Sequence, residues 1–327
     1  MVLVALVLGS SPGLVLAQSS SPRADRQTTF TVDGSGSYLA TAGPALTGAF
    51  DRAMQELDGF PEQTTPDAVK DSTFRRRLLE LRILMDLEAY AYDPILLHTF
   101  RKVVDDAYEQ VGDFQDVSVI QQILGAPVRD DVVSQRLIKM NVVLASLRTN
   151  TVRSAMRDFL GSPSSSLQTL APGDTPRLWT LAGVTPSEQL DGTGNAAMLA
   201  SVVFGKLQGG GIFVSDIFDK QQETQFHATR KDVRSTLLIV LAFTPTRDAT
   251  RGTSEPLWLL VSRYGDTNDA AVAWRTAQNY GGPVETGANA LRTAFSTAQG
   301  QQQAVLDSKS FGTMIGALNN VQNSHRR

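Results

Sequence analysis

The sequence predicts an all-α protein of two pseudo-symmetric helical bundles with long helices, and three observations carry that prediction. Apolar residues recur at helical spacing over most of the chain, as in Leu46, Phe50, Met54 and Leu57. Strand signals are few: a brief alternation over Thr29–Tyr38 turns at Asp33-Gly34-Ser35-Gly36 and reads as an extended lead-in. And one long stretch occurs twice. The basic segment FRRRLLELRILMDLEAY, from Phe74 to Tyr90, precedes a helix ending in VGDFQDVSV, from Val111 to Val119. Downstream, FHATRKDVRSTLLIVLAF, from Phe226 to Phe243, precedes a helix ending in YGDTNDAAVAW, from Tyr264 to Trp274. Arg75 lies 37 residues before Gly112, and Arg230 lies 35 before Gly265. A repeat of this length is one structural unit used twice.

The elements follow in order. Residues 1–17 are apolar apart from Ser10, Ser11 and a Gly/Pro break, and Val15-Leu16-Ala17 before Gln18 has the form of a signal cleavage site. Export to the periplasm or the exterior is therefore expected. No Lys or Arg precedes Arg23, however, and an apolar tail on a cytoplasmic protein is the alternative. This run is too short and interrupted for a membrane span, and no later stretch qualifies. Residues 18–43 read as linker and lead-in, and residues 44–160 as the first helical half. Within that half Gly59-Phe60-Pro61 closes one helix, Phe74–Tyr90 and Ile95–Val111 form a pair broken near Asp93-Pro94, and Arg129 to Leu160 can be one long helix. Residues 161–192 begin with GSPSSSLQTLAPGD, the best linker in the chain. Residues 193–327 form the second half. Asn195–Leu207 reads as a helix interrupted by Gly209-Gly210-Gly211, and Gln222–Phe243 is the second basic helix, closed by Thr244-Pro245. Ser254-Glu255-Pro256 has the chemistry of a helix start, a Ser N-cap with Pro in the first turn. Two further helices, Val284–Thr297 and Gln301–Val321, complete the chain.

Composition narrows the function. A hydrophobic fraction of 42% is ample for a core, but aromatics make up only 7%, so Leu, Val and Ala must fill it. The formal charge of −3 gives no global attraction to nucleic acid or anionic lipid, so any anion site must be local. The absence of Cys rules out disulfides, thiolate zinc sites and a Cys nucleophile. His98, His227 and His325 are far apart and lack metal-binding spacing, so no metal or cofactor is expected. The acidic run Asp105, Asp106, Glu109, Asp113, Asp116 lacks the calcium-loop pattern. No Gly-Lys-Ser/Thr follows the glycine triplet, and no Gly-x-Ser-x-Gly elbow exists. Nothing points to an enzyme.

The repeat carries two motifs. In GDxxD, Gly112 and Gly265 can end a helix in the left-handed conformation. Asp113 and Asp266 can then cap the next helix, with Asp116 and Asp269 at its third position. The second motif is basic. His227, Arg230 and Arg234 stand at i, i+3 and i+7, which puts them on one helix face; Arg75 and Arg82 share a face as well. Leu79 and Leu237 interrupt these stripes. A solvated face, ion-paired with Asp105, Asp106 and Glu109, is the bland explanation.

The segment FHATRKDVRSTLLIVLAF with PLWLLVSRYGDTNDAAVAW resembles the second half of a CHAD domain, the conserved histidine α-helical domain. His227, Arg230 and Arg234 match its His-x-x-Arg-x-x-x-basic motif, and Gly265, Asn268, Asp269 and Ala270 match its Gly-x-Leu-Asn-Asp-Ala-like one. In the first half Arg75 and Arg82 match basic positions. VGDFQDVSV there resembles the partner stretch, with Gln115 in place of Arg. Ser72 stands where the first-half His would fall; another register would place Lys70 there and Arg77 at the later basic position. The resemblance implies two helical bundles around a basic cavity that binds inorganic polyphosphate or a similar polyanion, with His227, Arg230 and Arg234 opposite Arg75 and Arg82. His227 would carry charge only below about 6.5, or higher if a bound phosphate raises its pKa. The alternative is a helical structural or interaction protein that has lost the ligand.

Overall fold

The computed structural model describes residues 31–209, 216–244 and 248–326. The expected export signal, Gly210, Gly211 and Pro245 lie outside them. The fold is all-α. The described residues form α1 (Tyr38–Asp58), α2 (Pro66–Asp71), α3 (Phe74–Leu87), α4 (Pro94–Leu124), α5 (Asp130–Arg148), α6 (Asn150–Leu160), α7 (Arg177–Ala182), α8 (Gly192–Gly209), α9 (Lys220–Phe243), α10 (Asp248–Tyr280), α11 (Val284–Asp307) and α12 (Ser310–Ser324). A single 3₁₀ turn covers Ala89–Ala91, and only isolated β-bridges, Ser37–Asp191 and Leu190–Arg326, occur among these residues. No described helix is long and apolar enough to cross a membrane.

Local chemistry sets many boundaries. Asp93 caps α4 by accepting from the Ile95 and Leu96 amides at 3.0 Å each, with Pro94 in the first turn. Gly125 ends the same helix at φ 62°. Asp219 caps α9 by accepting from the Gln222 amide at 2.9 Å. Helix α1 starts at Tyr38, earlier than Pro44, because Ser37 supplies the cap and accepts from the Ala40 amide. Pro44 lies inside it.

Two expectations are corrected. The stretch from Arg129 to Leu160 is two helices, parted at Thr149, which is extended at φ −73° and ψ 120°. And Ser254-Glu255-Pro256 does not open a helix: α10 already runs from Asp248 and carries Pro256 inside. A proline there removes one backbone hydrogen bond. Burial of Leu257, Trp258, Leu260 and Val261 just beyond holds the helix through that gap.

The segments between helices are fastened to them. Val32 donates its amide to Ala242 at 3.0 Å, and Gly34 and Gly36 accept from Thr193 and Gly192 at 3.1 and 3.0 Å, so the lead-in clips α8 to α9. The Ser-rich stretch after α6 lies along the 3₁₀ turn, Ser164 and Gln168 donating to Ala91 and Tyr90 at 2.7 and 2.8 Å. One hydrophobic core runs from Val32 to Val321 through both parts of the chain; a small second cluster joins Val117, Ile120, Leu124 and Val132 to Ala273 and Ala277.

Candidate functional site

Four helices frame the site. Basic helix α3 packs on α4 and basic helix α9 on α10, while α4 packs on α10 and α3 on α9. On α4, Tyr108, Gly112 and Asp116 are four residues apart and share a face. On α10, Val261, Gly265 and Asp269 stand in the same relation.

Both glycines lie inside their helices, so the capping reading of GDxxD is corrected: Gly112 and Gly265 end nothing, and Asp113 and Asp266 open nothing. What the glycines do is admit an arginine. A Cβ on Gly112 would lie 2.3 Å from Arg75 Nη2, and a Cβ on Gly265 would lie 3.3 Å from Arg230 Nη2. A mid-helix glycine costs up to about 1 kcal/mol relative to alanine; the seat it leaves for a guanidinium accounts for its presence in both copies of the motif.

The two basic stripes converge on Tyr108, which is only 9% exposed. Arg75 and Arg82 lie over its ring, their guanidinium carbons 5.0 and 4.9 Å from the ring centroid, within cation–π range. Arg234, from α9, reaches its hydroxyl, Nη1 donating at 3.5 Å. Arg230 adds its charge, and the four guanidiniums together outweigh the burial that would raise the phenol, bringing it down to about 8. Arg75 Nη1 also donates to Gln115 Oε1 at 3.0 Å and stands 3.9 Å from Asp116 Oδ1. Arg82 is ion-paired with Asp105. Lys231 reaches the surface beside this cluster; desolvation, with Arg82 and Arg230 adding to it, lowers its pKa.

His227 belongs to the other end of the site. Burial, with Lys231 and Arg230 adding to it, pushes its ring down to about 3, against a hydrogen bond with Asn268. Without a ligand, desolvation thus disfavours the charged ring, below the ordinary value near 6.5. Beside it, burial raises the carboxyls of Asp116 and Asp269 despite Arg75 and Arg230, and the charge of Asp269 adds to the rise at Asp116. The second residues of the two motif pairs thus meet electrostatically where α4 crosses α10.

Of the sequence candidates, Arg75, Arg82, Arg230 and Arg234 come together, and His227 lies alongside as a neutral group. Arg77 donates to both oxygens of buried Glu80 at 2.9 Å, and the Ser72 hydroxyl donates to Val69 O. Leu79 and Leu237 interrupt the stripes because they are buried in the core. Sequence reasoning missed Tyr108 and Lys231, and read Gln115 only as a replacement for Arg. The spacing of Tyr108 four before Gly112 was the available signal. A separate cleft of about 850 Å³ opens on another flank of α9, among Arg177, Lys206, Lys220, Gln225 and Thr229; the Arg177–Asp232 pair forms part of its wall, and none of the four arginines lines it. Among the described residues no group of three His, Asp or Glu could hold a metal ion.

The chain matches no protein-family model, no curated protein and no solved structure.

Proposed function

We propose that the chain is a non-catalytic, CHAD-like helical module that binds inorganic polyphosphate, or another polyanion, at the cluster of Arg75, Arg82, Arg230 and Arg234. The observation that carries this reading is Tyr108. Two guanidiniums of α3 lie over its ring at 5.0 and 4.9 Å and Arg234 of α9 reaches its hydroxyl, so positive charge from two helices remote in sequence gathers at one buried phenol, whose pKa is lowered accordingly. That charge is local, as an anion site in a chain of net charge −3 has to be. Each guanidinium can place two hydrogen bonds on phosphate oxygens, a geometry that lysine does not match. Arg75 Nε is buried with no hydrogen-bond partner among the described residues, so this guanidinium is not saturated by its neighbours. The correspondence of Arg75 over Gly112 with Arg230 over Gly265 supports two pseudo-symmetric halves.

The test is titration of the full chain with inorganic polyphosphate across salt concentrations. Affinity of micromolar order or weaker, falling steeply as salt rises, is expected, because bound counterions are released from the polyanion. Arg230→Ala with Arg234→Ala should weaken binding by ~2–4 kcal/mol if both charges contact phosphate in a partly desolvated site. Unchanged binding in that variant, with circular dichroism intact, rules the site out. The second reading, a helical scaffold without ligand, draws on the Arg82–Asp105 pair and the Arg75–Gln115 bond, which direct part of the basic stripe inward. It predicts no salt-dependent binding at all.

A further inference from the structure

We propose that Tyr108 is the positioning residue of this anion site, its ring holding Arg75 and Arg82 in place and its hydroxyl donating to the bound anion. The inference rests on the anion-binding reading above. Tyr108 touches both basic helices: α3 stacks two guanidiniums on its ring, and α9 brings Arg234 to its hydroxyl. The equivalent position on α10 is Val261, 2% exposed, whose side chain can neither stack a guanidinium nor donate a hydrogen bond. The two copies of the unit therefore differ at this point, and only α4 supplies a platform.

The 3.5 Å separation of Arg234 Nη1 from the phenolic oxygen is at the long limit of a hydrogen bond. A phosphate oxygen seated there would accept from Arg234 and from the tyrosine hydroxyl together. Losing the phenolic proton reverses this. The phenolate donates nothing, and it places a fixed negative charge among the arginines that the ligand needs. The charged groups facing the phenol are Arg75 and Arg82 from α3 and Arg230, Lys231 and Arg234 from α9. On its own helix Asp105 pairs with Arg82, Asp116 stands 3.9 Å from Arg75, and Glu109 acts on Lys231. Proton and anion are then linked: the bound anion keeps the phenol protonated, and deprotonation near pH 8 weakens the anion, by the same factor in each direction.

The experiment compares the full-length wild type with Tyr108→Phe and Tyr108→Leu. Polyphosphate affinity is measured between pH 7 and pH 9, and tyrosinate absorbance is followed with and without polyphosphate. In the wild type one tyrosinate should form near pH 8, it should move to higher pH with polyphosphate, and affinity should fall roughly tenfold over the interval. Tyr108→Phe keeps the ring: it should lose that tyrosinate transition and flatten the fall in affinity, and the ratio of the two proteins at each pH cancels any contribution from titration of polyphosphate itself. Tyr108→Leu should weaken binding at pH 7 by roughly tenfold or more, because both stacked guanidiniums lose their platform. A Phe variant with the wild-type pH profile, or a Leu variant with wild-type affinity, overturns the role of Tyr108 while leaving the anion site standing. Absence of polyphosphate binding by the wild type at low salt overturns the anion site, and this role with it.

Discussion

A single missing methyl group decides where Arg75 goes. Gly112 leaves space that the Arg75 guanidinium fills, with Nη2 2.3 Å and Cζ 2.6 Å from where a Cβ would stand. The obstacle is the far end of a flexible side chain, so Gly112→Ala should evict the guanidinium without unfolding the helix. Alanine also has the better helix propensity, by up to about 1 kcal/mol. The expected outcome is a denaturation midpoint unchanged or raised, with polyphosphate affinity reduced by about 1–2 kcal/mol, the loss of one charge-assisted contact. At Gly265 the nearest guanidinium nitrogen is 3.3 Å away and needs to yield only a few tenths of an ångström. Gly265→Ala should therefore stabilise the protein and leave affinity within about twofold, far from the effect of a lost charge contact. Paired titrations and urea melts of the two variants check this. Equal effects of the two substitutions on binding would mean that Arg75 is not part of the site. At this scale the sequence was half legible. The recurrence of Gly-Asp was plain, but glycine before aspartate is equally suited to a cap and to an arginine seat. Only the neighbour from α3 or α9 distinguishes them.

At the scale of elements, the contact of α4 with α10 sets the charge of the site. Asp116 and Asp269 stand one turn beyond their glycines, beside Arg75 and Arg230, and burial raises both carboxyls. As carboxylates they compete with an anion for the arginines; protonated, they do not. Polyphosphate binding should thus tighten as pH falls through the raised carboxyl range. Asp116→Asn with Asp269→Asn should bind more tightly than wild type at pH 7.5, by roughly fivefold for part-exposed charge contacts, and the advantage should shrink as pH falls through the raised carboxyl range. Taking the ratio of the two proteins at each pH cancels the ligand's own titration. A ratio constant across that range would show that these carboxylates do not compete. The helices themselves were largely legible: apolar spacing located the long ones, and Asp93-Pro94 and Gly125 mark ends by their own chemistry. The errors fell where local chemistry and tertiary packing disagree. Ser254-Glu255-Pro256 is a good helix start in isolation, but Leu257, Trp258, Leu260 and Val261 are buried and keep α10 continuous past the proline. Thr149 divides α5 from α6 with neither Gly nor Pro to signal it. The basic stripes could be read because three residues on one helix share a face. Tyr108 offered only its spacing from Gly112, because its meaning comes from arginines on two other helices.

For the molecule as a whole, the buried carboxyls set the pH of greatest stability. Glu88, 1% exposed at the end of α3, has an Oε2 with no hydrogen-bond partner among the described residues. Burial raises it to about 8, and burial likewise raises Asp86 to about 6 despite Arg101 and Arg82. In the unfolded chain such groups titrate near ~4. The folded state therefore holds protons that the unfolded state has released. The stability these groups contribute is fully present below the unfolded pKa and is lost as pH rises through the folded one, by at most about 1.4 kcal/mol per pH unit for each group. His227 acts in the opposite sense. Its depressed folded pKa means that stability is present above ~6.5 and lost as pH falls toward about 3. Above ~4 the two carboxyls outweigh the one imidazole, so stability should be greatest at pH ~4 and decline toward pH 8. Glu88→Gln fills the same volume and cannot ionise, so it should remove the Glu88 part of the alkaline decline. Urea denaturation between pH 4.5 and pH 8.5 should show the variant close to wild type at the acid end. Its advantage should widen as pH rises to about 8 and stay constant beyond, where Glu88 is ionised in both states of the wild type. A variant less stable than wild type at pH 8, or an advantage that does not grow with pH, would mean that Glu88 is charged and partnered in the folded protein.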